Sequence, residues 1–161
     1  MDEILEILAQ DARTTAPEIA KLVGKKVEQV KKTIKDYEDS GVILQYKTVI
    51  NRESLHNAKP YVRALIEVGI TPQKDLGFDS IAERIYNFPE VKSCYLVSGG
   101  YDLLVIVEGE SIQTVADFVA SKLSAMENVR QTATHFLLKT YKEDGQIFKK
   151  SIKHKRLNIS P

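Results

Sequence analysis

The apolar period of this chain changes once, and that change limits what it can fold into. Up to Gly41 the apolar residues recur at helical spacing, and from Tyr61 they alternate one by one. A chain of 161 residues with such a break has room for two small domains, the first helical and the second built on strands. In the first stretch Ile4, Leu5, Ile7 and Leu8 mark a short amphipathic helix. Thr15-Ala16-Pro17-Glu18 fits a capping box opening a second helix, whose buried face would be Ile19, Ala20, Leu22 and Val23. Gly24 supplies the positive φ that a tight turn needs. A third helix runs from about Lys26 to Ser40, with Val27, Val30, Ile34 and Tyr37 in one stripe and Gly41 as a left-handed cap. Val42 to Ile50 reads as a short strand or wing, and the polar stretch 51–60 as a linker.

From Tyr61 onward, Val62, Ala64, Ile66 and Val68 lie on one strand face, with Tyr61, Arg63, Leu65 and Glu67 on the other. Pro72 to Gly77 is a loop, and Phe78, Ile81, Ala82 and Ile85 mark a helix ended by Phe88-Pro89. Val91 to Val97 and Tyr101 to Val107 are strands joined at Ser98-Gly99-Gly100. Ser111 caps a longer helix burying Ile112, Val115, Ala116, Val119, Leu123 and Met126, and Val129 to Tyr141 is the last strand. Strand-helix-strand occurs twice over 61–143, the pattern of a ferredoxin-like βαββαβ domain in an α+β chain. Both helices of that fold cover one sheet face. Leu96, Leu104, Ile106, Phe136 and Leu138 nevertheless make the strands apolar on both faces, so a second copy of the sheet is the simplest cover for the other. A dimer is the expected minimum. Residues 144–161 form a basic tail.

The net charge is only +1, so any polyanion-binding surface must be local. From Lys25 to Lys35 there are five lysines and one glutamate. The small Ala20, the Gly24 turn and the Val30 anchor have the spacing of a helix-turn-helix, with the lysines on the outward face of its last helix. In that geometry Gln29 and Lys32 reach base edges, while Lys31 and Lys35 hold phosphates. Glu28 is placed to read a cytosine amino group or to favour the helix N-terminus, and Lys26 and Thr33 complete the expected DNA-contacting set.

Other chemistries find little footing. Cys94 is alone, which excludes a disulfide within the chain and a cysteine metal cluster, and its strand setting points to a packed thiol. His56, His135 and His154 share no metal-ligand spacing, and Gly99-Gly100 is too short for a phosphate loop. No catalytic residue, metal or cofactor is expected. Met1 to Leu8 is acidic where a signal peptide would be basic, and no apolar run is long enough to span a membrane, which leaves the cytoplasm as the expected location.

The run Ile7-Leu8, Asp11-Ala12-Arg13, Glu18-Ile19-Ala20, Val23-Gly24, Val30, Ile34-Lys35, Glu38 and Gly41-Val42-Ile43 resembles the DNA-binding domain of the Lrp/AsnC, or feast/famine, transcription regulators. The Gly99-Gly100-Tyr101-Asp102 turn and the Thr132 to Thr140 strand extend the likeness over about residues 1 to 143. Lys26 stands where the family usually has a serine cap, and Tyr37 where it has a leucine. The resemblance implies a winged helix-turn-helix over 1–50 and a ferredoxin-like domain over 61–143. The second domain would sense an amino-acid effector and assemble homodimers into a higher oligomer. Gly99 and Gly100 would let backbone amides meet a carboxylate and Asp102 would take an ammonium group. Tyr101, Asp117, Ser121, Thr132 and Thr134 would line the same pocket. Siroheme-type tetrapyrrole decarboxylases are similar across both domains. That alternative would need a cationic pocket begun by His135 and Arg130.

Overall fold

Side-chain caps start the helices of the first unit, in a computed structural model that describes residues 2–71 and 77–148. Asp2 accepts the Ile4 amide at 2.8 Å to open α1 (Glu3–Gln10). The Thr15 amide donates to Glu18 at 2.8 Å, closing the expected capping box of α2 (Ala16–Val23). Gly24 then takes φ 66, which a side chain would make costly, and leads into α3 (Val27–Asp39). Ile4, Ile19, Ala20 and Val30 are almost wholly buried, and Ile7, Leu8, Val23, Val27 and Ile34 pack around them. Leu22, expected in that core, is 69% exposed because the stripe facing α1 and α3 passes through Ile19, Ala20 and Val23 instead.

The segment after α3 departs from expectation. Residues 43–50 belong to no helix or strand, although their residue types favour β structure. A β-strand needs a row of backbone partners, and among the described residues the three-helix unit bonds this segment's backbone only at the Ile43 amide. The chain divides into two compact units, Met1–Ile50 and Asn51–Pro161. Residues 51–60, expected as a linker, thus fall in the second unit and open with a 3-10 turn at Arg52–Ser54, where Asn51 accepts the Glu53 amide at 3.1 Å.

The second unit holds β1 (Val62–Ile70), α4 (Phe78–Tyr86), β2 (Val91–Leu96), β3 (Leu103–Gly109), α5 (Ile112–Phe118) and β4 (Val129–Phe136). Its antiparallel sheet runs β2-β3-β1-β4, the order of a ferredoxin-like βαββαβ fold. Ala64, Ile66 and Val68 of β1 and Leu103, Val105 and Val107 of β3 form one core with Ile81 and Ile85 of α4 and Val115 and Phe118 of α5. Burying each of these large aliphatic side chains contributes roughly 1.5–3 kcal/mol. The alternate residues Arg63, Leu65, Glu67, Leu104, Ile106 and Glu108 line the opposite face, which no helix covers among the described residues and which the C-terminal hairpin reaches only at Arg63, through Glu143.

Three expectations for this unit need correction. The long helix is not one regular stripe: α5 ends at Phe118 and passes into a π-helical turn at Val119–Leu123. Across that turn the buried positions, Phe118 and Leu123, are five residues apart in place of three or four. Ile112 is 59% exposed and Ala116 is also exposed, whereas Phe118, absent from the expected stripe, is buried edge-on to Phe88. The last strand stops at Phe136, and the chain turns back through Asp144-Gly145 to form a small hairpin of β5 (Lys142–Glu143) and β6 (Gln146–Ile147). The expected tail therefore begins within that hairpin. The core of the expected 72–77 loop and the basic run from Lys149 to Arg156 lie outside the described residues.

Candidate nucleic-acid interface and effector site

Helix α3 is amphipathic across its axis. Val30 is fully buried, and Val27, Thr33, Ile34 and Tyr37 are half-buried beside it. Lys26, Glu28, Gln29, Lys31, Lys32 and Lys35 are exposed on the other side. Two of the expected contact residues have local duties. Gln29 Oε1 accepts the Lys26 amide at 3.2 Å, the half of a capping box that runs from the third helical residue back to the cap, while Lys26 has no side-chain oxygen for the other half. Its Nε2 keeps its protons for donation. Thr33 Oγ1 donates to the Gln29 carbonyl at 2.9 Å, so its hydroxyl proton is spent within the helix. Beside the α3 start, an open hollow of about 410 Å³ is lined by Lys21, Lys25, Lys26 and Glu28 together with Ala20 and Gly24. Cations around exposed amides at a helix start suit a phosphate group.

Tyr37 explains its own departure from leucine. Its phenol donates to Asp2 Oδ2 at 2.9 Å, while Asp2 Oδ1 caps α1. The Ile4 amide and then the Tyr37 phenol hold the Asp2 carboxyl below its usual range, and the same bond pushes Tyr37 up. Its carbonyl also accepts the Ile43 amide at 3.0 Å. One residue therefore ties α1, α3 and the following segment together. Sequence reasoning saw only the change of residue type.

In the second unit the turn before β3 has the expected backbone. Gly99 has φ 153, a conformation open mainly to glycine, and a side chain on Gly99 or Gly100 would meet nothing within 4 Å. Asp102 is more committed than expected. Its Oδ2 accepts the Ile70 amide at 2.7 Å, its amide donates to the Val68 carbonyl at 3.1 Å, and its carbonyl accepts the Val97 amide at 2.9 Å. Asp102 thus braces the turn against the β-bulge at Gly69/Ile70, leaving Oδ1 for any further partner. Thr132 sits opposite Val68 and Thr134 opposite Ile66, both half-buried on β4. Ser124 Oγ lies 3.4 Å from Thr132 Oγ1.

Asp117 and Ser121 share a helix face as expected, with Ser121 Oγ donating to the Asp117 carbonyl at 2.5 Å and Gln113 donating to Asp117 Oδ1 at 2.8 Å. The register links Asp102 and Thr132 through Val68. No hydrogen bond or ion pair joins Asp117 or Ser121 to them among the described residues. Sequence reasoning missed Lys122 in this region. Its Nζ is 2.5 Å from Glu90 Oε1 and lies over the Phe88 and Phe118 rings, pinning the π-helical turn to the α4–β2 connection. The Lys122 contact holds the Glu90 carboxyl below its usual range.

The family model described as a winged helix-turn-helix DNA-binding domain matches residues 3–43, and that of the Lrp/AsnC ligand-binding domain matches residues 63–147. An HTH-type transcriptional regulator of Bacillus subtilis, YugG, is 45% identical over 99% of this chain and 95% of its own length. The chain belongs to the Lrp/AsnC family. It is a DNA-binding transcription regulator of that type, with an N-terminal helix-turn-helix and a C-terminal α+β domain. The leucine-responsive regulatory protein of Rhizobium meliloti is 30% identical over 90% of this chain and 91% of its own. Among solved structures, a transcriptional regulator of Neisseria meningitidis in complex with L-methionine superposes with a TM-score of 0.70 at 27% identity, covering 88% of this chain and 89% of that one.

Membership in the Lrp/AsnC family sets the histidine question in context. His135 Nε2 lies 3.2 Å from Glu67 Oε1 on the open sheet face. Arg130, near the other end of β4, reaches Gly69 of β1 with its guanidinium. Cys94 is half-buried opposite Val105, and burial pushes its thiol up, away from thiolate chemistry. Among the described residues no helix is long and apolar enough to cross a membrane.

Proposed function

We propose that this Lrp/AsnC regulator reads double-stranded DNA through Lys26, Glu28, Gln29, Lys31, Lys32, Thr33 and Lys35. In this reading a homodimer, the unit of a larger cytoplasmic oligomer, holds several such helices at once. The observation that carries it is the exposed lysine face of α3 opposite the buried Val30. Lys31 and Lys35 hold phosphates, Lys32 and the Nε2 amide of Gln29 read base edges, and Lys26 belongs to the phosphate hollow. The covering of the open sheet face by a second copy is supported by Leu65, Leu104 and Ile106 lying side by side across β1 and β3. The protein acts by binding, without catalysis of its own.

The second domain binds a small amino acid or related metabolite near Gly99, Gly100, Tyr101 and Asp102, with Thr132 and Thr134 on the adjoining strand. The L-methionine held by the Neisseria regulator supports an effector bearing a carboxylate and an ammonium group. The unshielded backbone at Gly99-Gly100 suits the carboxylate. Asp117 and Ser121 join this set from a neighbouring subunit, a reading supported by their bonding to Gln113 and to each other and not to Asp102 within one chain. Effector then shifts the balance between assembly states with different spacing of the DNA-binding helices.

Selection of bound genomic fragments with and without each common amino acid tests both parts. Enrichment of a shared sequence, altered by one amino acid, is the expected outcome. Enrichment of no sequence removes the DNA reading, and identical enrichment with every amino acid, joined to flat titration calorimetry, removes the effector.

A further inference from the structure

We infer that Tyr61 is a positioning residue. It clamps the start of the second unit to its own sheet, so that the freedom of the connection lies at residues 47–50 and not across 51–60. This inference rests on the DNA reading above only for its second test. The Arg52 guanidinium lies over the Tyr61 ring, 4.1 Å from its centroid. The Tyr61 phenol donates to Glu108 Oε1 at 2.6 Å. Glu108 Oε1 is also 3.9 Å from Arg63 Nε, and Arg63 is paired in turn with Glu143 of the C-terminal hairpin. One chain of contacts therefore runs from the 3-10 turn through β1 and β3 to β5.

The residues of this cluster are not ordinary surface charges. The side chains of Arg63, Glu108 and Glu143 are between 20% and 30% exposed, and the Arg63 Nε atom is buried without a hydrogen-bond partner. Burial and then the Glu108 bond push the Tyr61 phenol up to about 12, so it remains a donor throughout the physiological range. Backbone bonds hold the same stretch: the Ser54 amide donates to Asn51 and the Leu55 amide to Arg52, at 3.2 and 3.1 Å. Before Asn51, the Ile43 amide donates to the Tyr37 carbonyl at 3.0 Å and the Tyr46 phenol to Glu38 Oε1 at 2.8 Å, so residues 47–50 are left in no regular element and with no such tie among the described residues. The contrast locates the freedom of the connection on one side of Asn51. A shorter pivot confines each DNA-binding unit to fewer directions, and paired binding gains from that confinement through effective concentration.

The first test needs no DNA. Trypsin is applied briefly to the full protein, and cleavage after Lys47 is compared with cleavage after Arg52. In the parent, Lys47 is expected to be cut first. Tyr61→Phe keeps the ring but loses the bond to Glu108, and should speed cleavage after Arg52 several-fold. Tyr61→Leu removes the platform and should speed it by about tenfold or more, with the Lys47 rate unchanged. Glu108→Gln keeps an acceptor oxygen and should cut like the parent, whereas Glu108→Ala should behave as Tyr61→Phe. An Arg52 rate that does not respond to Tyr61→Leu overturns the clamp, as does a Lys47 rate that rises with it.

The second test uses duplexes that the parent enriches from random DNA, carrying the enriched sequence once or twice at varied spacing. Tyr61→Phe should bind the single copy like the parent. On two copies it should bind about fivefold more weakly and lose spacing preference. Unchanged spacing preference overturns the positioning role, and so does equal weakening on one copy and two. If the parent enriches no duplex, the DNA reading falls, while trypsin still decides the clamp.

Discussion

The Ile19 side chain is fully buried in a core that contains only three other buried residues, Ile4, Ala20 and Val30. With so few partners, a cavity there cannot be shared out. Ile19→Ala should cost about 3 kcal/mol and lower the melting of the first unit, checked by calorimetry that separates the transitions of the two units. Asp2 makes a second residue-scale test. Its carboxyl is held below the usual value when folded, so its contribution is complete above the ordinary aspartate range and is lost as pH falls through the lowered value. The first unit should therefore melt lower at about pH 3 than at about pH 6, and Asp2→Asn should shrink that difference. A melt whose pH dependence is unaltered in Asp2→Asn would remove the cap and the Tyr37 bond as its cause. The residue scale also shows where sequence reading stops. Gly24 and Glu18 were legible because their roles are local. The Tyr37–Asp2 bond joins residues 35 positions apart, and no local signal announces it.

At the scale of the element, α3 carries its function on one side and its anchor on the other. Replacing Lys31 and Lys35 together with alanine should reduce the log-log salt slope of DNA binding by about 1.8, measured by fluorescence titration. Gln29→Glu offers a sharper separation, because a carboxylate still accepts the Lys26 amide. It should leave the melt of the first unit unchanged while altering the enriched DNA sequence; an unchanged sequence would confine Gln29 to capping. The elements themselves were largely readable. α2 and α3 were located within one residue from a capping box and a glycine turn; the six elements of the ferredoxin-like domain were found in kind and order from period and breakers, with the last strand read five residues too long. The misreadings have separate causes. Ile112 and Ala116 were assigned to a buried stripe, whereas α5 buries Val115 and Phe118, and the π-helical turn lies beyond both misread residues. Val42 to Ile50 has strand-forming residues, but strand formation depends on a partner that may come from anywhere in the molecule, and none is paired to it.

For the whole molecule, the sheet's open face dominates. Leu104 is half-buried there, between Glu67 of β1 and Tyr95 of β2. Leu104→Glu would place another charge on that face without touching the helix-side core. It should turn a dimer or larger species into a monomer in sedimentation and weaken binding to paired DNA sites by about 100-fold or more, with the fold of each unit retained. A variant that sediments like the parent would show that the copies meet elsewhere.

By itself the sequence determined the two-part organisation, the helix-turn-helix with its lysine face, and the alternation that makes a two-sided sheet. These follow from periodicity, turn chemistry and charge, which act over a few neighbouring residues. Only the tertiary structure decided the strand register, and with it which groups share a site. It braced Asp102 on the β1 bulge, set His135 against Glu67 and drew Arg52, Tyr61 and Glu108 into one cluster. Pairing between distant strands is settled by the burial of the whole sheet, so the short-range pattern that names each strand cannot say which side chains will meet across it.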